Sequence, residues 1–191
     1  ADDDELQLYS KPTYQIIEEC EEYGYDFVTG GFVDRIGNGG DFPKITMESN
    51  VWKEMPEAGF FRYPMSKACP NKVTLMKGNV KVSNGQHYVE FEDGTTSWGK
   101  EHPKRYPIEK NFTQVHHFKW DYSVFDRLQE VGKSSIGESW AHEYRLMYNE
   151  IKDNDFKIDL TAREFMFQRL DKPNYHQLRH WDRLTKKIVS I

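Results

Sequence analysis

The chemistry that the sequence offers first lies at its start, where Asp2, Asp3, Asp4 and Glu5 stand in succession. In an extended chain side chains alternate, so Asp2 and Asp4 project to the same side. Two carboxylates on one side present hard oxygens suited to Mn²⁺ or Mg²⁺, with coordination positions left for phosphate oxygens. A solvated acidic tail or the remnant of a tag has the same composition. Against that reading, no Gly/Ser linker follows: Leu6, Leu8 and Tyr9 lead straight into a helical pattern. The two cysteines, Cys20 and Cys69, match no zinc spacing, and Cys20 falls on the apolar face of that helix as a small core residue.

The elements that must position these acids are drawn from 191 residues, enough for a single domain with a proper core. The net charge of −5 argues against a general nucleic-acid binder, which needs a basic field. Aromatic residues make up 15%, with 11 Tyr and 5 Trp, so much of the apolar surface is rings with polar tips, suited to stacking as well as to cores. No stretch approaches the roughly 18 apolar residues of a membrane span, and the sequence is expected to carry no signal peptide.

Ser10-Lys11-Pro12 opens the first helix, with Ser10 as cap and Pro12 in the first turn. Ile16, Ile17, Cys20 and Tyr23 recur at helical spacing, and Gly24 stops it. Residues 25–33 read as a strand. Its Gly30-Gly31 pair signals a bulge or a close approach, and Asp34-Arg35 ends it. The loop 36–43, with Gly37, Gly39 and Gly40, is expected to be mobile and able to approach a ligand. A short helix over 49–57 follows. Two strands, 72–76 and 79–83, join at Lys77-Gly78, and Asn84-Gly85 turns the chain into a returning strand over 86–91. Glu92-Asp93-Gly94 is a turn, 95–110 is irregular, and 113–118 is a strand. Helices are expected over 122–131, 138–151 (with Trp140, Tyr144, Met147 and Ile151 in register), 161–170 and 174–191. The whole is an α/β fold: one domain over 1–191, strand-rich to residue 120 and capped by helices over 121–191.

Several pieces then stand in order: the acidic run, F-V-T-G-G-F-V-D-R at 27–35, the Gly-rich turn ending in Phe42-Pro43, Lys72-Val73, Gly85-Gln86-His87, and V-H-H-F-K-W at 115–120. Together they resemble a GT-A-fold glycosyltransferase of the family-2-like group, with its D-x-D-E and H-x-F-K-W blocks, as found in virus-encoded and bacterial members. The resemblance covers about residues 1–130. It implies a GT-A-like mixed sheet with flanking helices, Mn²⁺ or Mg²⁺ as cofactor, a UDP- or GDP-sugar as donor and a glycan or other hydroxyl as acceptor. In such a hexosyl- or pentosyltransferase, by expectation inverting, the first and third acids hold the cation against the diphosphate; these are Asp2 and Asp4 here. Glu5 would join the metal shell through water or orient the strand end.

The family's late histidine, which completes the metal or phosphate site, has three candidates: His87, His116 and His117. On a strand His116 and His117 point to opposite faces, so one of them packs in the core or at the surface. Lys119, Lys72 and Arg35 are the cationic candidates for the phosphates, and solvated lysines or a salt bridge to the adjacent Asp34 are their plainer roles. Trp120 is a sugar-stacking wall or, preferably, a core anchor. For the catalytic base, which takes the acceptor hydroxyl's proton, Asp34 leads and Glu54 and Glu57 are rivals. A turn cap is the plainer role for Asp34.

One departure stands out. A GT-A domain places its nucleotide-binding half before the acidic motif, and this chain starts at the motif, so that half is expected to be missing and the base is unreadable. A cytoplasmic location is expected, with any membrane association supplied by other parts of a longer polypeptide. Two other classes compete: a non-catalytic carbohydrate-binding module, and a phosphohydrolase, which lacks the second acidic cluster of a two-metal site.

Overall fold

The computed structural model describes residues 2–97, 101–134 and 138–191. Its strands are β1 (Glu5–Leu8), β2 (Phe27–Ile36), β3 (Glu57–Gly59), β4 (Asn71–Met76), β5 (Lys81–Val82), β6 (Val89–Glu90), β7 (Thr113–His117) and β8 (Gln168–Arg169). Its helices are α1 (Thr13–Tyr23), α2 (Val51–Glu54), α3 (Arg62–Met65), α4 (Val124–Lys133), α5 (Glu138–Asp153) and α6 (Trp181–Val189). The architecture is α/β with a mixed sheet.

The chain forms two compact units. The first takes Ala1–Phe32, Cys69–His116 and Asn174–Ile191; the second takes Val33–Ala68 and His117–Pro173. Each draws segments from both sides of residue 120, so neither coincides with the strand-rich or the helix-rich part of the sequence.

In the first unit β1, β7 and β2 are neighbours in that order, and β4 pairs antiparallel with the leading half of β2 from Phe27↔Met76 to Gly31↔Asn71. The Gly30-Gly31 signal has two structural counterparts here. The register shifts between Val28 and Thr29, a bulge, and a Cβ on Gly30 would run into the carbonyl of Thr113 on β7. Gly31 lies under Ile188 of α6 and Phe112 in the same way. Helix α1 stops at Gly24, whose positive φ of 73° lets its N–H return to the Cys20 carbonyl. Its buried Ile16 packs with Val28 and Tyr106.

The sequence expectations need correction at several ends in this unit. Ser10 does not cap α1. Its side chain bonds Asn111 and the Lys110 carbonyl, and Pro12 takes the cap position with no side-chain bond. The strand expected over 79–83 shrinks to β5, which pairs with β6 across the Asn84-Gly85 turn as a separate two-stranded sheet. The last helix begins only at Trp181, because Tyr175–Gln177 forms a 3-10 turn capped by Asn174. Residues 98–100 of the irregular stretch lie outside the described residues.

In the second unit the trailing half of β2 pairs antiparallel with β3 (Asp34↔Gly59, Ile36↔Glu57), and β3 pairs with β8 (Glu57↔Arg169). Asp34 and Arg35 therefore lie inside β2, not at its end, and all ten residues of that strand are buried. The expected helix over 161–170 is absent. Its apolar residues Phe165 and Phe167 alternate, and pairing with β3 takes Gln168 and Arg169 into the sheet. Helices α4 and α5 fall where the periodicity puts them. Leu128, Met147 and Ile151 join Phe61 and Trp120 in the core, while the side chain of Trp140 lies outside the described residues. The glycine-rich loop is a short 3-10 turn over Asn38–Gly40. Among the described residues no helix is long and apolar enough to cross a membrane.

Candidate functional site

In the first unit the acidic run is folded, not a solvated tail. Residues 3 and 4 form a turn, and the strand begins at Glu5. The Glu5 N–H donates to the Asp2 carbonyl (3.2 Å), and the Glu5 carboxylate accepts from the Asp2 N–H (3.3 Å). The turn replaces the extended geometry from which a shared side for Asp2 and Asp4 was expected. Glu5 is buried, Asp4 half-buried and Asp2 exposed.

What balances this run is Lys72 on β4, which is 2% exposed and no surface lysine. Its ammonium reaches Asp2 Oδ2 (3.1 Å), Glu5 Oε1 (2.8 Å) and the Gly85 carbonyl (2.8 Å), and it lies over the ring of Phe32. Three donors meet three acceptors, so the lysine serves as the counter-charge of the acids. Burial by itself would raise the Asp2 carboxyl. The hydrogen bond and the charge of Lys72 outweigh it and hold that group below its ordinary value, ionised at neutral pH.

The other candidates of this unit have partners of their own. His87 Nδ1 lies 3.0 Å from the Asn71 carbonyl, with its ring edge-on to Phe32. His116 is fully buried with Nε2 3.1 Å from Gln114 Oε1, and Gln114 in turn donates to the Tyr175 carbonyl.

In the second unit the V-D-R and H-H-F-K-W blocks meet. Asp34 on β2 is fully buried. Its Oδ1 accepts the Trp120 indole N–H (2.9 Å), and its Oδ2 accepts the backbone N–H of Arg62 at the start of α3 (2.9 Å). His117 Nδ1 stands 3.5 Å from Oδ1, with its ring edge-on to Trp120. Trp120 is thus both the core anchor expected of it and a donor to a carboxylate. Nothing in its own sequence neighbourhood signals the second role, because Asp34 is 86 residues away.

Arg35 is buried too. Its guanidinium donates to the carbonyls of Met55 (3.0 and 2.8 Å) and Leu170, and its plane lies over the rings of Trp52 and Phe118 at 4.8 and 5.4 Å. Desolvation lowers it to about 9, against which the charge of Glu57 acts, and it remains cationic at neutral pH. These bonds make Arg35 a clamp between two backbone segments; a phosphate would have to displace them. Glu57 on β3 also lies 3.5 Å from Arg169. Lys119 sits 3.4 Å from the Tyr144 hydroxyl, over the rings of Trp120 and Tyr144. Glu54, at the end of α2, is exposed and faces an open cavity with Asp41, Tyr122, Phe125 and Phe156.

The structure therefore brings together Asp2, Glu5 and Lys72 in one unit, and Asp34, His117, Trp120 and the Arg62 N–H in the other. Glu54 belongs to neither group. In the second group the oriented hydrogen bonds to the carboxylate come from Trp120 and the Arg62 N–H, and the His117 imidazole stands beside it with Nδ1 3.5 Å from Oδ1. Fold and site thus define an α/β protein that carries, among the described residues, an ionic acid cluster and a buried aspartate–histidine pair. No protein-family model, curated protein or solved structure matches the chain.

Proposed function

We propose that the chain is part of a metal-dependent glycosyltransferase acting on a nucleotide-sugar donor and a glycan or other hydroxyl acceptor. The observation that carries this reading is the acidic run. It is folded onto β1 and pinned by Lys72, with Asp2 kept ionised while half of its side chain still faces solvent. Its donor set suits a hard cation: the carboxylates of Asp4 and Glu5 come within reach of one another, with Asp2 beside them and no thiolate. A divalent cation held there would neutralise the charge that develops on a diphosphate leaving group. Lys72 keeps Glu5 and Asp2 in place as the charge of the site changes. In the second unit Asp34, with both oxygens engaged, acts as the positioning residue for His117 and Trp120. Of the carboxylates considered for the base, Glu54 lines an open cavity.

The meeting of V-D-R with H-H-F-K-W around Asp34 supports the same reading, since those two blocks carry the family resemblance. A second reading, a carbohydrate-binding module without catalysis, draws on the aromatic lining of the cavity beside Glu54.

Titration with Mn²⁺, alone and with UDP or GDP, separates the two readings. Ligand at a hundred times its dissociation constant raises stability by about 2.7 kcal/mol, read as a higher thermal midpoint. The transferase reading expects that rise, and its loss in Asp4→Asn. A midpoint indifferent to metal and nucleotide overturns it and leaves the binding module.

A further inference from the structure

We infer that the cavity bounded by the Asn38–Gly40 turn, the Tyr122–Phe125 segment and the end of α5 is a binding subsite for a neutral saccharide. It measures about 510 Å³, within the range of ligand clefts, and all of its lining belongs to the second unit.

Three rings form one wall. Phe125 is half-buried and stands nearly perpendicular to Tyr122 (centroids 5.7 Å apart, 88°) and to Phe156 (5.1 Å, 82°). Tyr122 is 53% exposed and Phe156 42%, so two large rings are left open at the mouth. Their placement is fixed from the backbone. The Tyr122 N–H donates to the Pro43 carbonyl (2.9 Å), and the Phe156 N–H closes α5 on the Ile151 carbonyl (2.9 Å). Phe156 and Asp155 hold positive φ angles of 56° and 52°, a conformation that a phenylalanine rarely adopts. The same cavity is lined by the polar side chains of Asn38, Asp41, Glu54 and Asp155.

The combination selects the ligand. Three carboxylates line the cavity against one lining ammonium, Lys157, which is paired with Asp41, so phosphates and other anions are disfavoured. Lys44 already takes the cation's place at Tyr122 (4.9 Å to the ring centre), and the rings stand perpendicular to one another instead of boxing a void. What fits is a neutral molecule with an apolar C–H face for the rings and a rim of hydroxyl donors for carboxylate and amide oxygens. A pyranose or furanose ring has that form.

The subsite needs neither metal nor nucleotide, so it stands or falls separately from the transferase reading. The test is heteronuclear NMR of the full chain titrated with methyl glycosides of glucose, galactose, mannose and xylose at millimolar concentration. Tetramethylammonium and inorganic phosphate serve as the charged probes. At least one glycoside is expected to give saturable shifts at Tyr122, Phe125 and Phe156. Phe156→Ala and Asp41→Asn should each weaken it about tenfold or more, and Asp4→Asn should leave it unchanged. Should Phe156→Ala lower the thermal midpoint, Tyr122→Ala, at a more exposed ring, gives the same readout. The proposal is overturned if no glycoside saturates, if neither ring substitution changes the affinity, or if only one of the charged probes binds.

Discussion

Glu5 and Asp34 are both carboxylates buried in a strand, and the protein stabilises them in opposite ways. Glu5 is met by the ammonium of Lys72, which it shares with Asp2. Asp34 takes its oriented hydrogen bonds from an indole and a backbone amide, with the His117 ring close by. The first arrangement is Coulombic. It depends on charge more than on direction, and it leaves an acid, Asp2, at the solvent edge where a further cation can approach. The second is directional. Its donors point at fixed oxygens and hold rings in place around them. A cation site would profit from the first kind, as the proposed function requires of the acidic run, and a positioned side chain profits from the second.

The largest expected effect breaks the directional side. Asp34→Ala leaves the Trp120 N–H and the Arg62 N–H buried without their acceptor. Each such group costs about 1–3 kcal/mol, so a loss of about 4 kcal/mol is expected. It should appear as a lower urea midpoint with an unchanged slope, together with a change in tryptophan emission. An equal stability for Asp34→Ala and the native chain would show that the aspartate does not hold those donors.

Next comes the ionic side. Lys72→Met strands a buried Glu5, and removing one member of such a pair is expected to cost about 3 kcal/mol here, since the lysine's other partner, Asp2, is exposed. The double substitution Lys72→Met with Glu5→Leu should recover most of that loss, because an apolar pair of similar size replaces a buried ion pair at little cost. No such exchange exists for Asp34, one of whose partners is backbone. Recovery in the double variant sharpens the comparison, and a double variant as unstable as the single one refutes it.

The sequence carried the two motif blocks and the strands under them, and it carried the folding of the acidic run, because apolar residues follow Glu5 without a linker. It did not carry the partners. Lys72 lies in N-K-V-T-L-M with no mark that its ammonium turns inward toward residues 70 positions away. The helix expected over 161–170 failed because its apolar residues fit either period, and the edge of β3 decided between them. Arg35 looked like a phosphate ligand because an arginine after a strand usually is exposed. Extending β2 by three residues, to Ile36, buried it and turned its donors to Met55 and Leu170. Each failure is one of long-range pairing, and each success rests on local pattern or on residue order.

A smaller effect tests that burial. Arg35→Lys keeps the charge but not the planar fork that reaches two carbonyls, nor the stacking over Trp52 and Phe118. A loss of about 2 kcal/mol is expected, set by the bonds to the two carbonyls. The same variant separates the roles considered for Arg35: if the residue bound phosphate, nucleotide affinity would fall and stability would not.

The smallest effect is the most specific to the ionic side. Lys72 holds the Asp2 carboxyl below its ordinary 3.8 in the folded chain. A group whose folded value is depressed contributes stability above its unfolded value, and the contribution fades as pH falls through the folded one. Asp2→Asn should therefore be less stable than the native chain at pH 7. The difference should close as the pH drops below 3.8. Because the Asp2 side chain is more than half exposed, solvent screens the bond to Lys72, and the gap at pH 7 should stay under about 1 kcal/mol. Urea unfolding of both proteins across that range reads it directly. A gap independent of pH would mean that Asp2 acts through its backbone turn with Glu5 and not through its charge. With Mn²⁺ present, on the proposed cation site, the gap should keep its sign and widen at pH 7 beyond what Lys72 alone sustains, because the native chain gains from the bound cation and the variant does not.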